Sequence, residues 1–590
     1  MQPSAIAPSI ALVLALCVGC SHSAGRAGPV ALPQRITDHR ASDDLLTAGL
    51  GLAGIKNPVP PAFADTEHPT AEEARRRAIW SSWRGIADLS PNSGYGEVYG
   101  NAAPVPGREM TALVTVPGAT QPHRVLVQIP DNFDVQRRCI VLAPSSGSRG
   151  VYGGIAVAGA WGLPRGCAIA YTDKGGGTDY YDFDSGTGTT LDGTRSADGE
   201  LAFKPIGGTH VAFKHAHSGD NPESQWGKHL LQSAQVAIAA LNIAFPGHAF
   251  DLTDARVIAV GVSNGGGASL RAAELEGKWL DGVVAGEPNV QPLGARSLLD
   301  YMTEAAQIMP CALLHFSATE VPRGPFEPAW TARCASLKAA SIVDGDNVSA
   351  QADAAYALLK SGGWTDESIT GGAVSVAFDL WRTVAVAYTA AYGRIGVHEH
   401  PCGYSYAAVG PDGAVRPTTA TERAVWFSDG TGIPPGQGIA MVDSKAAAVD
   451  PAFPGLSCLR DLVKKDALAK GIAEVRAGLP RAGIPIIVVH GVNDGLIPPA
   501  FSSIPWIKSA KEAGRPVISW QVQNAGHFDA FIGLPGFADR EVPLLPYVYT
   551  ALDRLWAHLE TQKPLPGDAV IAAKPRGSEP LKADQLAIPH

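Results

Sequence analysis

The sequence predicts an α/β fold, a mostly parallel sheet carrying one large insertion, and three observations predict it. Short apolar runs of the kind that form strands buried on both faces alternate with helix-like stretches. One of those runs, Arg256–Val260, leads into a serine framed by glycines, after which a helix opens. The alternation stops near Val290 and resumes near Pro480, so the stretch between reads as an insertion over the sheet.

The elements follow in chain order. Ile6 to Leu16 is an apolar run too short to cross a bilayer, and it ends at Cys17-Val18-Gly19-Cys20 before polar residues. Residues 1–20 are therefore expected to be a secretory signal and the chain to be exported, to the periplasm, the outer membrane or the medium of a bacterium. Cys20 after small residues resembles a bacterial lipobox and is the candidate lipid anchor. Cys17 in the place of the usual leucine, and the lack of Lys or Arg before the run, depart from that pattern.

Residues 21–108, rich in Pro, Ala and Gly with one helix-like stretch from Thr70 to Trp83, read as an N-terminal wrap. Residues 109–292 hold the first part of the core. Its strands are Ala112–Val116, Arg124–Ile129, Cys139–Ala143, Cys167–Tyr171, Arg256–Val260 and Leu280–Ala285. Its helices are Ile155–Trp161, Ser224–Ala244 and Gly265–Glu274. The stretch from Thr172 to about Glu223 is too long for a plain connection and is expected to be a functional loop. Residues 293–480 are the insertion or lid, with helices at Ala350–Leu359 and Val374–Tyr392. The core resumes over 481–562 with strands Ile484–His490 and Ile518–Gln523 and a closing helix Tyr547–Thr561. Residues 563–590 read as an extended C-terminal tail.

Composition narrows the function. With 590 residues, 45% hydrophobic and 17% charged, the chain is a globular one that buries a large core. A net charge of −9 offers no basis for binding nucleic acid or an anionic membrane surface, so contact with a membrane is expected only through Cys20. Setting Cys17 and Cys20 aside leaves six cysteines: Cys139, Cys167, Cys311, Cys334, Cys402 and Cys458. None forms a C-x-x-C pair, which removes zinc-ribbon and thioredoxin-like readings, and an even set in an exported chain predicts up to three disulfides. Their pairing stays open.

Gly261-Val262-Ser263-Asn264-Gly265 matches G-x-S-x-G, the sharp strand-to-helix turn that lifts a serine above an α/β-hydrolase-like sheet. Gly403-Tyr404-Ser405-Tyr406-Ala407 is a near-match without a strand before it and is set aside. A serine hydroxyl needs a base, and the base an orienting acid; in this fold the chain order is Ser, acid, His. Asp494 follows strand Ile484–His490, and His527 follows strand Ile518–Gln523. Both therefore sit at carboxyl ends of strands, the edge where open α/β sheets bind ligands. Ser263, Asp494 and His527 are the candidate catalytic set. The oxyanion hole is expected from the backbone N–H of Asn264 and from the loop after Cys139–Ala143, at Ser146 or Gly147. His215-Ala216-His217 and His398-Glu399-His400 each pair two imidazoles, but no third ligand is identifiable, so no metal is assigned. No cofactor is expected.

Beyond the serine, Gly266-Gly267-Ala268 and Leu270-Arg271-Ala272-Ala273-Glu274 continue a recognisable block. So do Ala143–Gly153, Ala170–Gly175, Phe213–His217 with Asn221-Pro222-Glu223, and Gly286-Glu287-Pro288-Asn289. From about residue 90 to about 560 the chain resembles the D-(−)-3-hydroxybutyrate oligomer hydrolases. The resemblance implies a serine esterase with Ser263 as nucleophile, cleaving short 3-hydroxybutyrate oligomers to monomer. Such an oligomer ends in a carboxylate, so a cation is expected beside the site, and Arg149 and Lys174 are the candidates. The alternatives are a tannase- or feruloyl-esterase-like hydrolase and a non-catalytic polymer-binding protein on the same fold. The first usually carries cysteines beside the nucleophile and the histidine, where this chain has Val262 and Gly526. The oligomeric state is left open.

Overall fold

The computed structural model describes residues 31–429, 438–465 and 468–589. The expected signal segment and Cys20 lie outside the described residues. Ten strands form one sheet: β1 (Arg35–His39), β2 (Gly107–Val114), β3 (His123–Pro130), β4 (Cys139–Pro144), β5 (Ala168–Thr172), β6 (Arg256–Val262), β7 (Gly282–Gly286), β8 (Ile486–Gly491), β9 (Val517–Val522) and β10 (Ala569–Ile571). Their spatial order is β1-β2-β3-β5-β4-β6-β7-β8-β9-β10. The pairings from β5 to β10 are all parallel, and those from β1 to β5 through β2 and β3 are antiparallel.

The strand sequences explain the layers. Every residue of β4, β7 and β8 is buried, as expected of strands covered on both faces. Alternation divides them: Cys139, Val141 and Ala143 of β4 and Ile258, Val260 and Val262 of β6 join one core, while Ile140, Leu142, Val257 and Ala259 join the other. The first core is closed by α1 (Ala71–Arg84), whose Thr70 and Glu73 form a capping box, and by the C-terminal helix Leu545–Thr561. The second is closed by α2 (Trp226–Ala244) and α3 (Asn264–Ala272).

The insertion builds a third core of its own. Helices α4 (Leu298–Ala312) and α5 (Leu380–Gly393) pack with Trp330, Trp364, Trp381 and Trp426, and Leu496 and Ile497 from the loop after β8 join them. The expected helix Val374–Tyr392 is broken. A short helix, Ala373–Ala377, ends before Asp379, whose backbone turns left-handed at φ 52° and restarts the chain as α5. Asp tolerates that conformation better than most residues. The insertion also carries a three-stranded sheet centred on Tyr404–Val409, a pattern too short to show in the sequence.

Two further segments are more ordered than their sequences suggested. The Thr172–Glu223 stretch folds into a small four-stranded antiparallel sheet from Tyr180–Asp182, Thr187–Thr189, Arg195–Ser196 and Val211–Phe213. Buried ion pairs anchor it: Arg124 to Asp179, and Lys214 to Asp173 and Asp179. The C-terminal segment, expected as an extended tail, contributes edge strand β10 and returns along the core, where Tyr547 Oη donates to Leu586 O at 2.5 Å. Among the described residues no helix is long and apolar enough to cross a membrane.

The six cysteines pair as Cys139–Cys167, Cys311–Cys334 and Cys402–Cys458. The first staples β4 to the start of β5; the other two staple the insertion. Cys311–Cys334 joins residues 23 apart, so replacing both with Ala should cost about 3 kcal/mol through the freed unfolded chain. The measurement is the denaturant midpoint of the double variant under oxidising conditions. No change there, or other pairs in a non-reducing peptide map, would contradict the assignment.

Candidate active site

Ser263 ends β6 and opens α3 with φ 57° and ψ −122°. A non-glycine residue in that region stores about 1–3 kcal/mol and persists only where its surroundings over-determine it. Here they do. Ser263 N donates to Gly286 O at 3.0 Å, and Ser263 O accepts from Gly267 N at 3.0 Å and Asn289 N at 2.9 Å. The two framing glycines are steric requirements. A Cβ at Gly261 would lie 2.4 Å from Gly265 C, and one at Gly265 would lie 2.5 Å from Pro144 O of β4.

His527 reaches this serine from the loop after β9. Its Nε2 lies 2.9 Å from Ser263 Oγ and its Nδ1 2.6 Å from Asp494 Oδ2. The carboxylate only accepts, so the ring proton belongs on Nδ1 and Nε2 is left to take the serine proton. Asp494 is fixed in turn: Oδ1 accepts from Leu496 N at 2.9 Å and Ile497 N at 2.8 Å. His490, at the end of β8, adds a bond the sequence did not reveal, with Nε2 3.2 Å from Asp494 Oδ2 and Nδ1 2.7 Å from Ser503 Oγ. Burial opposes ionisation of Asp494, but the two imidazoles and their hydrogen bonds outweigh it and hold the carboxyl well below the usual carboxylate range.

The acids around this series are treated oppositely. Burial, with Asp494 and Asp529 beside it, pushes Glu541 up to about 8. Burial pushes Asp529 up to about 7 and Glu287 well above its ordinary value. One carboxylate is held toward its ionised form and its neighbours are pushed toward their neutral forms, as burial and crowding of like charges in a dry site favour.

The loop after β4 supplies the facing wall. Gly147, at φ 51°, lines a cavity with Ser263 and Asn264, whereas Ser146 does not line it and is buried. Of the two loop residues expected at the oxyanion hole, Gly147 is therefore the one brought to the serine. Lys174 is not a free cation awaiting substrate. It is buried, its Nζ donates to Ser145 Oγ at 2.9 Å and Gly147 O at 2.7 Å, and burial pushes it down to about 7 against the pull of Glu223 and Asp173. It ties the loop.

A second tie was missed in the sequence because its partners lie far apart in the chain. Ser148 Oγ lies 2.5 Å from His215 Nδ1, and His215 Nε2 lies 2.6 Å from Glu223 Oε1. The ring of His215 packs edge-on against Tyr388 of α5 at 4.6 Å, and Tyr388 Oη accepts from Asn264 Nδ2. The remaining histidines of the two paired motifs are engaged locally: His217 Nδ1 with Phe213 N, His398 Nε2 with Thr209 N, and His400 Nδ1 with Cys402 N.

The cavity over Ser263 is narrow, about 40 Å³, and is lined by Leu298 and Met302 of α4, Leu380, Val384 and Tyr388 of α5, Leu496 and Ile497, Phe528 and Arg149. It has room for a few waters. A larger cavity of about 290 Å³ opens between Phe326, Trp330, Phe378 and Asn493, but neither Ser263 nor His527 lines it.

Sheet order, strained serine turn and the hydrogen-bonded Ser–His–Asp series together define the class: this is an α/β-hydrolase. The chain belongs to the 3HB-oligomer hydrolase family, whose model matches residues 14–590. It is 37% identical over 614 residues to the D-(−)-3-hydroxybutyrate oligomer hydrolase of Paraburkholderia xenovorans, covering 92% of this chain and 87% of that protein. To the protein of the same name from Paracidovorax citrulli it is 38% identical over 633 residues, covering 92% and 89%. Among solved structures, the tannin acyl hydrolase of Aspergillus niger is similar over 80% of this chain and 81% of its own, with 13% identity and a TM-score of 0.36. By family, the chain is a carboxylic ester hydrolase.

The second tie predicts that His215→Phe lowers kcat on an aryl ester by about tenfold to hundredfold with little change in KM, because Gly147 loses its fixed position. A fall in stability with kcat intact would reduce the pair to scaffolding. The neutral acids predict a pH effect. Glu541 binds its proton more tightly folded than unfolded, so its contribution to stability falls as pH rises from about 4.5 toward 8. Glu541→Gln, a permanent mimic of the neutral form, should therefore raise the melting temperature more at pH 8 than at pH 5. An equal shift at both pH values would contradict the neutral assignment.

Proposed function

We propose that the chain is an exported serine esterase that hydrolyses short 3-hydroxybutyrate oligomers to monomer through an acyl-enzyme. Ser263 Oγ attacks the ester carbonyl carbon while His527 Nε2 takes its proton. Asp494 orients the imidazole and stabilises the cation that forms. The developing oxyanion is received by the backbone N–H groups of Asn264 and Gly147. His527 returns the proton to the departing alkoxide oxygen, and water then repeats the sequence on the acyl-serine and frees the acid. None of these steps calls on a cofactor.

The observation that carries this reading is the 2.9 Å approach of His527 Nε2 to a serine held at φ 57°. The substrate class comes from the relatives, which are named for 3-hydroxybutyrate oligomers. Export is supported by the three disulfides, which persist in oxidising compartments, and by the apolar N-terminal run ending at Cys20, the candidate lipid anchor.

Purified protein should cleave the dimer and trimer of 3-hydroxybutyrate and take a fluorophosphonate label, while gallate and ferulate esters stay intact. Ser263→Ala should lower the rate by about 10⁴-fold or more and abolish the label. An unlabelled wild-type protein would point to the non-catalytic polymer binder, and turnover of gallate or ferulate esters alone would point to the tannase-like reading.

A further inference from the structure

Arg149 sits two residues beyond Gly147 and lines the same cavity as Ser263. It is 2% exposed. Its Nη2 donates to Gly85 O at 2.8 Å, and its Cζ lies 5.2 Å over the ring of Phe528, the residue after His527. Nε and Nη1 have no hydrogen-bond partner. Among the described residues no other buried arginine leaves two guanidinium nitrogens unbonded. The other buried cations nearby are spent: Lys174 on the loop, Lys214 and Arg124 on carboxylates. Burial pushes the Arg149 guanidinium down to about 10, opposed through space by Asp429. A dry cation with idle donors is unfavourable until an anion completes it. Placed at the wall of a substrate cavity, that deficit describes a site for a carboxylate.

We propose that Arg149 binds the free terminal carboxylate of an ester oligomer, so that the enzyme cleaves the first ester bond from that end and releases one hydroxy acid per turnover. This rests on the serine-esterase reading above. In a 3-hydroxybutyrate oligomer only one end carries a carboxylate, and its carbon is four bonds from the nearest ester carbonyl carbon. Anchoring that end on Arg149 sets this ester, and no interior one, over Ser263. The ester C–O bond breaks, the alkoxide of the terminal unit takes the proton from His527, and that unit departs with its carboxylate. The rest of the chain stays on Ser263 as the acyl group. Water then releases it as a free acid, so every shortened chain carries a new carboxylate that the same arginine reads. A chain with its acid capped, or an ester deep inside a polymer, lacks the anchor.

The test compares the trimer with its methyl ester, which differs only in the anchoring group. The expected result is that wild-type protein favours the free acid in kcat/KM by about tenfold to hundredfold, the range of a charge-assisted hydrogen bond. Arg149→Met should lower kcat/KM on the free acid by about tenfold to hundredfold more than on the methyl ester, so that the wild-type preference for the acid disappears. Free 3-hydroxybutyrate should inhibit wild-type protein competitively and the variant much less. Equal turnover of acid and methyl ester by wild-type protein overturns the proposal, as does an equal loss on both in Arg149→Met. Should that variant fail to fold, the wild-type ratio and inhibition by the monomer decide on their own. Failure of the esterase reading is told apart by a protein that neither hydrolyses the p-nitrophenyl ester nor takes a fluorophosphonate label.

Discussion

The whole site depends on one backbone conformation, the left-handed turn at Ser263. A residue with a side chain adopts it at a cost, and the chain meets that cost with three backbone hydrogen bonds to β7 and its following loop and to α3. The same conformation dictates sequence on either side. Gly261 and Gly265 are compelled by atoms 2.4 and 2.5 Å from where their Cβ would stand, and one of those atoms belongs to β4. The turn thus requires β4 and β6 to be neighbours, which the sheet order provides. Because all strands from β5 to β10 run one way, the loops bearing Gly147, Asp494 and His527 emerge at that same edge. Geometry at one residue and topology of the sheet are two views of one constraint.

Above that edge the insertion controls the medium. Its helices α4 and α5 place Leu298, Met302, Leu380 and Val384 over the serine and leave a cavity of only about 40 Å³. Removing water strengthens each polar contact inside, and it also makes surplus charge costly. The treatment of the carboxyls follows. Asp494 keeps its charge because two imidazoles and two backbone N–H groups face it, while Glu287, Asp529 and Glu541, without a comparable set of donors, are pushed toward their neutral forms.

Legibility in the sequence tracked how local the physics was. Ser263, Asp494 and His527 could be placed because each follows a buried strand, where pattern and turn residues coincide within a few positions. Strands β2 to β9 of the central sheet were legible for the same reason. Strand β1 was not: its burial alternates and its stability comes from pairing with β2, some 70 residues away. The tie through His215 and Glu223 was equally hidden, since Ser148 lies 67 residues from His215 and a glycine-rich loop gives no sign of being buried. The surroundings of Lys174 are hidden on the same account. A lysine among glycines looks solvated, yet this one is enclosed by Ser145, Gly147 and Trp226. The break at Asp379 escaped because the apolar spacing runs through it unbroken.

The loop after β4 links the serine to the cavity wall. Gly147 faces the serine and Arg149 faces the cavity two residues later, so whatever fixes one fixes the other. Lys174 grips the loop from one side and Ser148, bound to His215 and Glu223, from another. Because His215 also packs on Tyr388, the loop is braced against α5, the helix over the cavity. The wall facing Ser263 and the helix over the cavity are thereby joined through His215.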